Sequence, residues 1–336
     1  MKNVINILAA VILLAACTKT EVTYDSPSEI AFSPVAENVT KAAVVNGAAP
    51  ADQALLVWAN YAEVASSSSS SYSDAEVGDA YLVAKEFSSS DNKVWTNSDC
   101  FWPKSGALTF AGCTKPSVGT VSYVYDDNKI QVSGFQQSVN TSESIDLMWF
   151  NKTTPANNGL SEDSEPLEIE MHHALAWVTI KAYGGGSSKD WIITNITMDN
   201  VVLGGDVLCT TDGAVWTISE TTEETKDLTT NDVAIYNGNQ QVGTNPNMAV
   251  ETTSNGTLLV PQKPKSISIT YKTSSDGATT TKPLNLKLSD DPSNNKWEAG
   301  KHYIYTLFFN PYKIEFTVAT ENGVGGWTSV DPITMQ

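Results

Sequence analysis

Arginine is absent from this chain of 336 residues: all 20 basic residues are lysine, set against 38 acidic ones. A formal charge of −18, without the planar guanidinium fork suited to phosphate, excludes nucleic acid as a partner. Surplus negative charge instead keeps a polypeptide soluble and apart from anionic surfaces. Histidine is scarce as well, at three residues. His172 and His173 are adjacent at what reads as a strand entry, so their side chains point to opposite faces and cannot chelate one ion. The four cysteines include no Cys-x-x-Cys, which removes the usual zinc patterns. Gly-x-Ser-x-Gly, His-Glu-x-x-His and a phosphate-cradling glycine loop are all missing. No catalytic residue, metal or cofactor is therefore expected, and the chain reads as a non-enzyme. Long helical periodicity is also missing, and polar–apolar alternation takes its place.

One apolar run stands out, Val4 to Leu14 behind Lys2. It is too short to cross a bilayer as a stable helix, which needs about 20 apolar residues. A basic start, a short apolar stretch and small residues before a cleavage point form a secretory leader. Leu14-Ala15-Ala16-Cys17 resembles a bacterial lipobox. Residues 1–16 are accordingly expected to be a lipoprotein signal peptide, with Cys17 the lipidated first residue of the mature chain. That leaves Cys100, Cys113 and Cys209, three thiols that cannot pair completely. Cys100 and Cys113 are a candidate disulfide if they sit on neighbouring strands. Otherwise all three are small buried apolar residues.

The rest reads as an all-β chain of many short strands, arranged as two tandem β-sandwiches with Greek-key-like connections. Residues 17–45 form a polar tether and a first strand, Ile30-Ala31-Phe32-Ser33-Pro34, with Ile30 and Phe32 on one face. Pro34 has no amide donor, so this strand should lie at an edge or break there. Residues 46–165 are assigned to the N-terminal sandwich. Leu55-Leu56-Val57-Trp58-Ala59 is its buried strand, Ser66 to Ser71 a loop, and Asp126-Asp127-Asn128-Lys129 the turn of a hairpin ending in Ile130-Gln131-Val132. A polar, acidic stretch from Asn157 to Pro166 places the boundary near residue 165. Residues 166–336 form the C-terminal sandwich. Ser266–Tyr271 and Leu284–Leu288 alternate cleanly, and Ile314, Phe316 and Val318 alternate near the end. Most of the nine tryptophans adjoin apolar strands and are expected in cores. Trp327, in Gly325-Gly326-Trp327, is the one suited to an intermolecular contact.

Five features occur in a particular order. They are the lipobox at Cys17; Trp102-Pro103 followed by Leu108-Thr109-Phe110-Ala111; His173-Ala174-Leu175-Ala176-Trp177-Val178-Thr179-Ile180; Leu258-Leu259-Val260-Pro261-Gln262; and Trp297-Glu298-Ala299-Gly300-Lys301-His302-Tyr303-Ile304-Tyr305 leading to Gly326-Trp327. In this order the chain resembles the Bacteroidetes-type fimbrillin (Mfa-like) family of outer-membrane fimbrial subunits and related lipoproteins. The resemblance implies two transthyretin-like sandwiches, a structural pilus subunit or fimbria-associated adhesin, and assembly with other fimbrial subunits by strand exchange. It also implies a lipid anchor in the outer membrane and, for an adhesin, a ligand on a host or bacterial surface. In such subunits a protease cuts behind the first strand, and a neighbour's C-terminal segment fills the groove. The matching position is Lys41-Ala42, where the family typically has arginine. Either a lysine-accepting protease cuts there, or the subunit stays lipidated as an anchor or accessory component. Ile314, Phe316, Val318 and Trp327 are the candidate donor or interface residues. A surface glycan-binding lipoprotein of a polysaccharide uptake system is the alternative function.

Overall fold

The structure, a computed structural model, describes residues 28–35, 53–62, 79–90, 93–103, 106–125, 128–140, 143–154, 165–184, 191–218, 230–244, 256–264, 266–273, 277–286, 295–309, 314–319 and 333–334. Among them are twenty-one strands and no α-helix. They build five sheets.

The N-terminal sandwich faces a three-stranded sheet against a five-stranded one. The first has the order β4 (Trp95–Phe101), β1 (Glu29–Val35), β9 (Leu167–Glu170). The second runs β10 (His172–His173), β8 (Met148–Thr153), β5 (Ala107–Thr114), β2 (Leu55–Ala62), β3 (Asp79–Phe87). Ile30, Phe32, Trp95 and Ile169 of the first pack on Val57, Phe87, Phe110 and Phe150 of the second.

The C-terminal sandwich pairs β16 (Thr257–Leu259), β11 (Ala176–Gly184), β19 (His302–Phe309), β20 (Ile314–Ala319) and β21 (Ile333–Thr334) with a second sheet. That sheet runs β15 (Thr230–Gln241), β12 (Trp191–Val202), β17 (Ser266–Thr273), β18 (Thr279–Asn285). Its core gathers Ile180, Ile196, Ile269, Trp297, Tyr305 and Phe309 among others. β17 shows the cleanest alternation, with Ile267, Ile269 and Tyr271 buried between half-exposed neighbours. This is the signature of one face on a core and one on water. The strand expected at Leu284–Leu288 instead lies at Thr279–Asn285, pairing Thr281 with Thr270 and Leu284 with Ile267.

A fifth sheet joins the two halves. Its order is β14 (Gly213–Thr217), β13 (Gly204–Thr210), β7 (Lys129–Gln136), β6 (Thr120–Val124). The hairpin β6–β7, turning at Asn128 with φ +49°, comes from the N-terminal half. The hairpin β13–β14 comes from the C-terminal half. They meet in one antiparallel ladder, Val207 opposite Val132 and Cys209 opposite Ile130. Its inner face covers the back of the five-stranded sheet, where Trp58, Ala111, Cys113 and Trp149 point. The inner strands of that central sheet, β2 and β5, are thus buried on both sides. This is why Leu55-Leu56-Val57-Trp58-Ala59 is apolar at consecutive positions rather than alternate ones. The chain also changes partners later than the polar stretch suggests, since β9 and β10 still pair with β1 and β8.

Candidate functional site: the first strand and its groove

β1 is the centre strand of its sheet, yet its two neighbours use different halves of it. Glu29, Ala31 and Phe32 pair antiparallel with Phe101, Thr96 and Trp95 of β4. Phe32, Ser33, Pro34 and Val35 pair in parallel with Leu167, Glu168, Ile169 and Glu170 of β9. Only Phe32 belongs to both ladders. Pro34 therefore sits where the strand has one paired side, the position in which a missing amide donor leaves no ladder bond unmade. A backbone bond from the Trp102 amide to the Ser28 carbonyl, 3.0 Å, fixes the strand's start.

The inward side chains carry the energetics. Ile30 and Phe32 are both sealed from solvent. The Phe32 ring stands edge-on to Phe87 and Phe110, with centroids 4.9 and 5.3 Å away, and tilts against Phe150 at 5.7 Å. Burial of two such side chains contributes about 1.5–3 kcal/mol each as an upper estimate. Without β1, β4 and β9 would each be left with unpaired amides and carbonyls along an open apolar cleft. Such an edge is a template for another strand.

Ile314, Phe316 and Val318 lie on β20, which pairs with β19 of its own sandwich from Phe309–Ile314 to Ile304–Ala319. The alternating trio thus belongs to a resident strand. Among the described residues of the tail, Ile333 and Thr334 lie opposite Val318 and Thr317 at the sheet's edge. Cys17, Lys41, Ala42 and Trp327 lie outside the described residues.

The candidate disulfide is not formed. Cys100, Cys113 and Cys209 are buried free thiols. Cys100 faces the N-terminal core, whereas Cys113 points out of the opposite face of the central sheet, into the middle core with Cys209. A whole sheet separates the two thiols of the expected bridge. Burial pushes the Cys113 thiol far up and Cys209 to about 12, so both stay protonated.

The histidines are structural. His172 is exposed and His173 buried, on opposite faces. His173 Nδ1 lies 2.9 Å from a carboxylate oxygen of buried Asp146. His302 stacks on Trp177 and hydrogen-bonds Thr179 Oγ1 at 2.9 Å. Burial, helped by Lys181, lowers its pKa to about 3. No cluster of three or more metal-binding side chains occurs among the described residues. Trp58, Trp95, Trp102, Trp149, Trp177, Trp216 and Trp297 are all buried, and Trp191 is half-buried against the C-terminal core. None of these offers an open platform for sugar stacking.

Three of the ordered sequence motifs, His173–Ile180, Leu258–Gln262 and Trp297–Tyr305, meet at the junction of the two sandwiches. Trp177 pairs with Leu258 on one side and with His302 on the other. The Gly300 amide reaches the Leu175 carbonyl, and the Trp297 amide reaches the Gln262 carbonyl. The Gln262 side chain in turn bonds the Val202 amide and carbonyl at 2.9 and 2.7 Å. These residues hold strands together.

The sequence profile of the fimbrillin-like family matches residues 40–326. The chain belongs to the fimbrillin-like family. Solved structures resemble it at low identity. A fimbrial assembly protein of Parabacteroides distasonis is 10% identical over 88% of this chain and 96% of its own, at a TM-score of 0.42. The tip fimbrial protein of Porphyromonas gingivalis, in a C-terminally truncated form, is 9% identical over 88% and 100%, at 0.38. A candidate cell adhesion protein of Bacteroides uniformis is 12% identical over 87% and 97%, at 0.48. No curated protein matches the chain.

Proposed function

We propose that this fimbrillin-like chain is a fimbrial subunit or fimbria-associated adhesin, exported as an outer-membrane lipoprotein through Cys17 and assembled by strand exchange at the groove of β1. The observation that carries this reading is the place of β1. It fills the middle of a sheet with Ile30 and Phe32 buried, yet it lies N-terminal to every other described strand. A single cut behind it would free it without breaking another connection. Lys41-Ala42 is the proposed position of that cut, and the family match begins at residue 40, immediately before it. A vacated groove accepts a strand from another subunit through backbone pairing and two apolar pockets. The tail after Val318 is the proposed donor to the groove of a different subunit, since β20 is already paired at home and β21 adds two residues at an edge. The outer membrane, other fimbrial subunits and a surface ligand are the partners this role requires.

The test is the mature N-terminus of the protein taken from cells. Cleavage yields Ala42, and Lys41→Ala abolishes it together with the ladder of oligomers on unboiled gels. A surface protein that always retains lipidated Cys17 and never forms ladders would sink the polymerising reading.

A further inference from the structure

We infer that the groove of β1 selects its occupant by one aromatic pocket: the incoming strand must carry Phe where Phe32 sits, two residues after a branched aliphatic in the place of Ile30. This rests on the strand-exchange reading and names the chemistry of the partner strand, a segment of another subunit with the pattern aliphatic–small–Phe–small.

The argument comes from how unequally β1's residues are held. Phe32 is the one residue shared by both ladders, so its backbone position is fixed from two sides. Its ring meets three phenylalanine rings from three different strand regions, Phe87, Phe110 and Phe150. Two of those contacts are near-perpendicular, at 74° and 87°, the edge-to-face geometry that rewards an aromatic guest beyond its buried area. Trp102 in turn stands edge-on to Phe110, at 83°. An aliphatic side chain in this pocket would leave ring faces without a partner edge. The outward positions are different. Ala31 and Ser33 are small and half-buried, so small residues are the matching choice between the anchors. Past Phe32 the strand has a neighbour on one side only. Recognition is therefore concentrated on Ile30 and Phe32. Within Thr320–Gln336 the one pair of alternating aliphatic and large apolar residues suited to the two pockets is Ile333 and Met335. That tail would place a thioether where the Phe32 ring belongs.

The experiment uses the folded full-length chain with a specific protease site inserted between Lys41 and Ala42. After nicking, the β1 fragment stays seated, and its release is followed by size exclusion and mass spectrometry as competitor peptides are added. A peptide of Ser28–Val35 is expected to displace it. The same peptide with Phe32→Ala should be weaker by about tenfold or more, and Phe32→Met should fall between. A peptide of Val330–Gln336 should compete no better than Phe32→Met. Because the substitutions are in the peptide, the receiving protein is unaltered throughout. Equal displacement by the Phe32→Ala or tail peptide would overturn the aromatic requirement and leave strand exchange standing. If even the native peptide neither enters nor releases the fragment, strand exchange itself fails, and the pocket's role fails with it.

Discussion

The imidazole of His302 lies flat on the indole of Trp177, ring centroids 3.6 Å apart and planes 10° from parallel. The two residues face each other across adjacent parallel strands, in register. His302 Nε2 shares a hydrogen bond with Thr179 Oγ1, and Nδ1 finds no hydrogen-bond partner among the described residues. The neutral ring satisfies this arrangement best, with the proton on Nε2 and a bare lone pair at Nδ1. A second proton would create a buried charge and an unpaired donor.

Acid sensitivity follows from that pair. The folded pKa of His302 is about 3, below the unfolded value of about 6.5. The unfolded chain therefore binds more protons in this window. The contribution is fully present above pH 6.5 and is lost as pH falls towards 3, to the extent of a few kcal/mol in order of magnitude. Between pH 7 and pH 4.5 the urea midpoint of the wild type should fall further than that of His302→Gln. Parallel lines for the two proteins would contradict the buried neutral imidazole.

Gly256 guards the same stack. Its φ is +69°, and a Cβ built there would lie 1.9 Å from Trp177 Nε1 and 2.7 Å from Thr179 Oγ1. Gly256→Ala thus combines a left-handed backbone with a collision against a side chain that has no room to move. The expected cost is about 2–5 kcal/mol, read as a shift in the denaturant midpoint at unchanged slope. A substitution elsewhere on an exposed turn, such as Gly277→Ala, has φ +65° but open space around it. It should cost only the backbone part, about 1–2 kcal/mol.

These two residues also show what the sequence could and could not reveal. Trp177, Leu258, Gly300 and His302 were visible as ordered motifs, but their meeting point was not, because pairing between distant strands leaves no local pattern. The runs at Leu55–Ala59 and Ser266–Tyr271 declared themselves by apolar content and by alternation. β4 did not: in Trp95-Thr96-Asn97-Ser98-Asp99-Cys100-Phe101 only Trp95 and Cys100 are buried, and the polar residues mask a strand that borders the groove. β15 is hidden for the same reason. The inward face of β1 was legible from Ile30 and Phe32. Its parallel pairing with β9, from beyond the expected domain boundary, was not.

The thiols give a third prediction. With Cys100, Cys113 and Cys209 buried and unbridged, and with burial favouring the protonated forms of Cys113 and Cys209, alkylation of the native protein at pH 8 should be negligible. All three should react after unfolding in urea without reductant. A mass lower by two hydrogens, or a thiol that appears only after reduction, would show a bridge and contradict the free thiols, and a bridge that includes Cys100 would overturn its placement in a separate core.

The joining sheet yields the last prediction. Val207 and Val132 are opposite each other in the β7–β13 ladder and at most 1% exposed. One valine belongs to each half of the chain. The middle core beneath them takes Trp58 and Trp149 from the first half and Trp177, Leu258 and Val260 from the second. Loss of either hairpin would open this shared middle core. Heating should therefore give one calorimetric transition rather than two. Val207→Asp buries an uncompensated carboxylate at the seam, at a cost of about 3–5 kcal/mol. The damage should fall on the joining sheet first, because the other two cores contain no residue of β7 or β13. The variant should split the endotherm into two, with the sandwiches melting separately. Two endotherms in the unaltered protein would mean that the shared core does not couple the halves.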